Sequence, residues 1–248
     1  MIRITDLEKS FGPKKVLRGV NLDIPTGKTT VVIGQSGSGK SVLLKLIVGL
    51  MKPEQGDIFV GDLNVTALDA EERQKVARKF GMLFQGGALF DSMTVGQNVA
   101  FGLERYCDLP ANEIRGLVSE SLDKVGLRGI EGLMPSELSG GMKKRVGLAR
   151  AIAYRPEIML YDEPSTGIDP IRADAINELI NLLKNEFGVT SIVITHDMVS
   201  AYKVADRIAM LYEGRILETG TPAEIRNSTN DVVQQFIHGR AEGPIRNW

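Results

Sequence analysis

The sequence predicts an α/β fold: a parallel sheet flanked by helices, entered through an antiparallel β region and interrupted by an inserted helical lobe. Three observations predict it. Short apolar, β-branched runs recur and end abruptly in polar residues, as in Thr29–Ile33, Gly81–Gln85, Ile158–Glu163 and Ser191–His196. Buried parallel strands read this way. The first of these runs leads into Gly34–Ser41, GQSGSGKS, and then into the apolar stretch Val42–Leu50, which is a strand–loop–helix order. Between about residues 88 and 150 the strand-like runs vanish and helical spacing takes over.

Taken in order, residues 1–28 alternate apolar and polar at Ile2-Arg3-Ile4 and again through Val16, Val20, Leu22 and Ile24, with a turn at Phe11-Gly12-Pro13. That pattern predicts an antiparallel pair. Phe11 reads two ways: as a core residue, which the local pattern favours, or as an aromatic face for a nucleotide base. Lys52–Gly56 is a break, Asp57–Gly61 a short strand and Asp69–Lys79 a charged helix. In the inserted lobe, helical patterns run through Arg115–Val125 and Met142–Ala153. Asp169 as N-cap with Pro170 at the first helical position starts a helix, which Gly188 ends after Phe187. Asp206–Gly220 reads as a hairpin around Glu213-Gly214, and Pro222–Arg226 as a helix start. Asp231–Ile237 carries Val232, Val233, Phe236 and Ile237 at helical spacing; Gly239–Trp248 is mixed. This terminal apolar face either docks on its own domain or meets a partner.

The 248 residues fit one large α/β domain or one domain with an insert. A net charge of −1 argues against a nucleic-acid binder held by bulk charge. Cys107 stands alone, so no internal disulfide forms, which fits a reducing compartment. The start MIRITDLEKSFG lacks an apolar signal region, and no apolar run reaches ~18 residues. A membrane role is expected to come through a partner.

GQSGSGKS matches G-x-x-x-x-G-K-[ST], the phosphate-binding P-loop, with the flanking strand and helix that separate it from a chance match. Its glycines let backbone N–H groups turn toward phosphate oxygens, and the helix N-terminus adds positive dipole character. The predicted cradle is Gly34, Gln35, Ser36, Gly37, Ser38, Gly39, Lys40, Ser41 and Val42. Lys40 is placed to reach the β- and γ-phosphates and Ser41 to bind Mg²⁺. Strand C-termini face the ligand crevice in open α/β sheets. Gln85 is therefore either a metal or γ-phosphate contact or a solvated loop residue. Ser139-Gly140-Gly141 before a helix reads as a second anion site or as an N-cap turn. Asp162 suits Mg²⁺ coordination, and Glu163, one residue on, suits a general base for an attacking water. His196 ends its strand at the same edge, which favours a catalytic role.

In this order these pieces resemble an ATP-binding cassette (ABC) ATPase over roughly residues 1–226, with an inserted helical subdomain at about 88–150 and a C-terminal extension at 227–248. The resemblance implies the ABC-ATPase variant of the P-loop NTPase fold, with a RecA-like parallel core. It implies that Phe11 stacks on adenine, and that Gln85 is the Q-loop glutamine that contacts Mg²⁺ and senses a transmembrane partner. Ser139, Gly140 and Gly141 match the signature that binds the γ-phosphate of ATP held by a second subunit. Glu163 matches the general base, Asp169 the D-loop aspartate, and His196 the switch histidine. A head-to-tail homodimer with two ATPs sandwiched between P-loop and signature follows.

The run Leu83–Ser92, LFQGGALFDS, and the run SGGMKKRVGLARA look like the ATPase of Mla-type, MCE-associated phospholipid transporters. Most importers carry Gln-Gln-Arg-Val where this chain has Lys143-Lys144-Arg145-Val146. The resemblance implies a permease partner, an MCE-domain lipid-binding protein and a small accessory subunit. It also implies phospholipid as the transported substrate, ATP and Mg²⁺ as cofactors, no nucleic acid, and a place on the cytoplasmic face of the inner membrane of a diderm bacterium. A GTPase is excluded by the lack of an Asn-Lys-x-Asp motif, and a small-molecule kinase has no use for LSGGM. An ABC ATPase for another solute, or a mechanical switch without substrate passage, carries the same motifs.

Overall fold

A computed structural model describes residues 1–246; Asn247 and Trp248, at the end of the expected C-terminal extension, lie outside the described residues. The chain divides into two compact units, one of residues 1–75 with the chain from Thr190 onward, the other Val76–Val189.

In the first unit, β1 (Ile2–Phe11), β2 (Lys14–Ile24), β4 (Gln55–Val60) and β5 (Leu63–Asn64) form an antiparallel sheet in the order β2-β1-β4-β5. Ile2 pairs with Ile24 on one side and Val60 on the other, which sets the apolar alternation inward. Ile2, Ile4, Leu7, Leu17, Val20 and Ile58 are buried as a result. Phe11 departs from the reading as core: it is 45% exposed, with the Lys9 ammonium 5.6 Å above its ring. It closes the β1–β2 hairpin opposite Lys14, beyond the reach of the core face.

The same unit holds β3 (Thr29–Ile33), parallel to β8 (Thr190–Thr195) and to β9 (Arg207–Tyr212); β9 is antiparallel to β10 (Arg215–Gly220). Flanked on both edges, β3 is buried at every residue, which explains its unbroken apolar and β-branched character. The helix α1 (Lys40–Ile47) follows β3, and α7 (Met198–Val204) follows β8. The short α8 (Pro222–Arg226) and α9 (Asp231–His238) come last. On α9, Val233 and Gln235 are buried, and the Gln235 amide holds the returning chain at both ends of one residue: Ile245 N–H donates to its Oε1 (2.7 Å), and its Nε2 donates to Ile245 O (3.2 Å).

The boundary of the units falls in α2 (Ala70–Ala77), shorter than the expected Asp69–Lys79 because Asp69 and Glu72 close a reciprocal cap at its start. The second unit pairs β6 (Phe80–Leu83) in parallel with β7 (Ile158–Asp162) and packs α3 (Val95–Tyr106), α4 (Ala111–Lys124) and α5 (Gly140–Ile152) together. The helix α6 (Pro170–Phe187) starts at an Asp169 cap and ends at Gly188 with φ 62°.

Candidate functional site

In the first unit, the P-loop leaves β3 at Gly34 and enters α1 through Gly39, whose φ of 105° suits glycine. A Cβ at Gly39 would meet the Leu17 side chain at 2.9 Å, and one at Gly34 would collide with the Leu211 carbonyl oxygen. The N-cap of α1 is Gly39, which has no side chain to cap the helix. Lys40 is buried, and its ammonium donates to Gly34 O (2.7 Å) and Gln35 O (3.0 Å), drawing the loop into a ring. Ser38 Oγ is buried without a hydrogen-bond partner among the described residues, an orphan that an anion's oxygens or their water would satisfy. Ile33 pairs with Thr195, so His196 leaves the sheet beside Gly34 and is exposed. The next residue, Asp197, starts α7 by accepting from Val199 N–H (3.0 Å).

In the second unit, Leu83 pairs with Tyr161, so Gln85 and the Asp162-Glu163 pair emerge at one edge. Gln85 is exposed, whereas Asp162 and Glu163 are buried to 8% and 9% exposure. The backbone after Gln85 is fixed by Arg150, which donates to Gly87 O (2.9 Å) and Ala88 O (2.8 Å). Glu163 adopts φ 49°, a left-handed conformation uncommon for a residue with a side chain. Thr166 Oγ1 donates to Glu163 Oε2 at 3.0 Å.

Ser139 is the N-cap of α5, accepting from Met142 N–H at 3.3 Å. The N-cap reading of this stretch therefore holds, and it leaves Gly140 and Gly141 in the first turn. Ser139, Gly141, Met142, Arg145, Arg172 and Ile176 line a cavity of about 240 Å³. Asp169 accepts from Arg172 N–H (3.0 Å) and pairs with its guanidinium (3.2 Å).

Among the described residues, no three or more His, Cys, Asp or Glu side chains cluster as a metal cage. Mg²⁺ taken up with phosphates needs only one or two carboxylates. Within the second unit, the buried Asp162 at its strand end suits that demand. No described helix is long and apolar enough to cross a membrane.

The ABC transporter family profile matches residues 17–166. The chain belongs to the ABC transporter family. This ABC ATPase is 41% identical over 246 residues to the intermembrane phospholipid transport system ATP-binding protein MlaF of Haemophilus influenzae, covering 99% of this chain and 93% of that protein. It is also 41% identical over 244 residues to a probable ribonucleotide transport ATP-binding protein, mkl, of Mycobacterium leprae, covering 98% of this chain and 70% of that protein. Among solved structures, a dimeric post-hydrolysis state of an ATP-binding cassette bound to ADP and Pi matches with a TM-score of 0.83 and 32% identity, over 90% of this chain and 99% of that one. The ABC-ATPase fold and the ATPase activity expected from the motifs are those of this family.

Three residues that hold the segments around the candidate site escaped the reading of the sequence: Lys144, Arg150 and Thr166. Lys144 had a visible signal, since it shares a helical face with Gly141 and Leu148, and a charge on a buried face needs a partner. Thr166 reaches the Glu163 carboxylate through its hydroxyl across a three-residue turn that residue spacing does not carry.

Proposed function

We propose that this chain is the ATPase of a phospholipid transporter in a diderm envelope, working as an ATP-sandwich homodimer under a permease on the cytoplasmic face of the inner membrane. The observation that carries the substrate is the MlaF likeness, which spans 93% of that protein, against 70% for the mkl protein at equal identity. The run Leu83–Ser92 supports it.

In this reading Lys40 and the P-loop N–H groups hold the phosphates, and Phe11, exposed at its hairpin, stacks on the adenine. Ser41, Gln85 and Asp162 would hold Mg²⁺, which would supply charge neutralisation to the phosphates. Glu163 takes the proton of the attacking water, and His196 stabilises charge at the γ-phosphate. Ser139, Gly140 and Gly141, with the helix start behind them, complete the pocket of a second copy, while Asp169 sets the D-loop. Catalysis then consists of positioning and charge stabilisation around an in-line attack. Gln85, as the Q-loop glutamine, senses the permease, and residues 227–248 contact neighbouring subunits. An MCE-domain lipid-binding protein and a small accessory subunit complete the assembly.

The test is affinity purification of the Glu163→Gln chain from detergent-solubilised membranes with ATP and Mg²⁺, with mass spectrometry and lipid extraction. A polytopic permease, an MCE-domain protein and phospholipid are the expected yield. A permease with a solute-binding protein and no lipid moves the chain to another solute; no membrane partner leaves a mechanical switch.

A further inference from the structure

Lys144 lies in α5, the helix that Ser139 caps, and is buried to 5% exposure. A buried ammonium must be solvated by the protein. Here Nζ donates to the carbonyls of Pro164 at 2.8 Å and Thr166 at 2.5 Å, which flank Ser165 in the turn directly after Glu163. Thr166 closes that turn twice: its N–H donates to Glu163 O (3.2 Å) and its hydroxyl to Glu163 Oε2 (3.0 Å). The left-handed backbone at Glu163 persists only where its surroundings over-determine it, and this clamp is one such constraint. Burial pushes the Lys144 ammonium down from its ordinary pKa, and the Glu163 carboxylate pulls it back up. The lysine therefore senses the charge of the same residue whose turn it holds.

We propose that Lys144 is a positioning residue for the Glu163 carboxylate, tying the signature helix to the turn 163–166 and thereby setting where that carboxylate points. The proposal rests on the reading of Glu163 as general base. Its consequence is directional: when Ser139–Gly141 engage a nucleotide held by a second copy, any shift of α5 is carried by Lys144 to the same subunit's own base.

The experiment compares full-length Lys144→Met, Lys144→Arg and Thr166→Val in steady-state ATP hydrolysis, with kcat and KM resolved. It repeats Lys144→Met in a Glu163→Gln background by single-turnover hydrolysis. Lys144→Met is expected to lower kcat on the order of ten- to a hundred-fold with KM for ATP held within about two-fold, as for a displaced catalytic group. Lys144→Arg is expected to restore most of kcat, because it keeps the charge and the donors. Thr166→Val, which removes only the hydroxyl, is expected to lower kcat alone, and it stands in if Lys144→Met fails to fold. In the Glu163→Gln background Lys144→Met is expected to cause no further loss. Wild-type kcat in Lys144→Met, a rise confined to KM, or Lys144→Arg as poor as Lys144→Met each overturns the inference. Full hydrolysis by Glu163→Gln alone overturns instead the assignment of the base.

Discussion

Ile33 and Thr195 are register partners in two parallel strands, so Gly34 and His196 leave the sheet side by side. Adjacent strands lie about 4.8 Å apart, which sets the P-loop entry and the histidine as neighbours by backbone alone. His196→Ala is expected to lower kcat about ten- to a thousand-fold, the range for loss of one charge-stabilising group. ATP affinity should hold within a few-fold, since the P-loop is untouched. Phosphate release and nucleotide titration on the same preparation separate the two. A large loss of affinity would place the histidine in binding instead.

Glu163→Gln keeps the shape of the side chain and an oxygen for the Thr166 hydroxyl. It is expected to bind ATP, hydrolyse at a hundredth or less of the wild-type rate, roughly the upper end for loss of a general base, and elute as a dimer with ATP and Mg²⁺. Gel filtration with multi-angle light scattering reads the dimer. Elution as a monomer under saturating ATP would speak against the sandwich.

Gly34→Ala places a Cβ against the Leu211 carbonyl oxygen, which belongs to the β9 ladder and cannot swing aside. The expected cost is about 1–3 kcal/mol, as for other overpacked sites. For a chain of this size that lowers Tm by several degrees, roughly 2–4 °C per kcal/mol. Nucleotide binding should fall with it, because the backbone must shift where the phosphates sit.

Asn98 is fully buried and holds the chain between Phe90 and Thr94. Its Oδ1 accepts from Phe90 N–H at 2.8 Å, and its Nδ2 reaches the carbonyls of Phe90, Met93 and Thr94 at 3.0 to 3.1 Å. Asn98→Leu takes the amide from Phe90 N–H and Met93 O, while Phe90 O keeps Met93 N–H and Thr94 O keeps the N–H of residue 98, and is expected to destabilise by about 2–4 kcal/mol, the scale of more than one orphaned buried group. Denaturant unfolding measures it. A change under about 0.5 kcal/mol, the ordinary surface scale, would show the loop to be held otherwise.

The Lys9 ammonium hydrogen-bonded at 3.0 Å holds the Glu54 carboxyl below its ordinary value. A depressed folded pKa stabilises the native state at pH above the ordinary 4.5 and loses that contribution as pH falls through the folded value. Glu54→Gln is expected to narrow the gap to wild type in that acid range while sitting slightly below it near neutrality. Melting curves across pH 2 to 7 read the difference, roughly the span in which carboxylates titrate.

Much of this fold was legible because parallel strands buried on both faces leave unbroken apolar runs, and each run here ends at a candidate site residue. Gly34, Asp162 and His196 could be found that way without knowing the topology. The antiparallel region was legible from alternation, but the local pattern at Phe11 favours core over a nucleotide-facing ring, since a hairpin end keeps the apolar letter while losing the buried face. The helices α3 and α7 went unnamed, being short or capped by residues that also suit turns. Lys144 reaches the turn after Glu163 through backbone carbonyls, and Asn98 holds Phe90–Thr94 through backbone groups; such contacts leave no mark in residue spacing.

The left-handed turn at Glu163 has a consequence for how the chain trades endurance against work. Glycine is the residue that its backbone there would accept most readily, yet the position carries a buried carboxylate. Glu163→Gly is therefore expected to melt at or above the wild-type temperature, with relief of about 1–3 kcal/mol of backbone strain offsetting the lost Thr166 contact. It should hydrolyse nothing measurable. A chain selected for durability alone would place glycine at 163; with Glu163 as the proposed general base, the glutamate there exchanges stability for turnover.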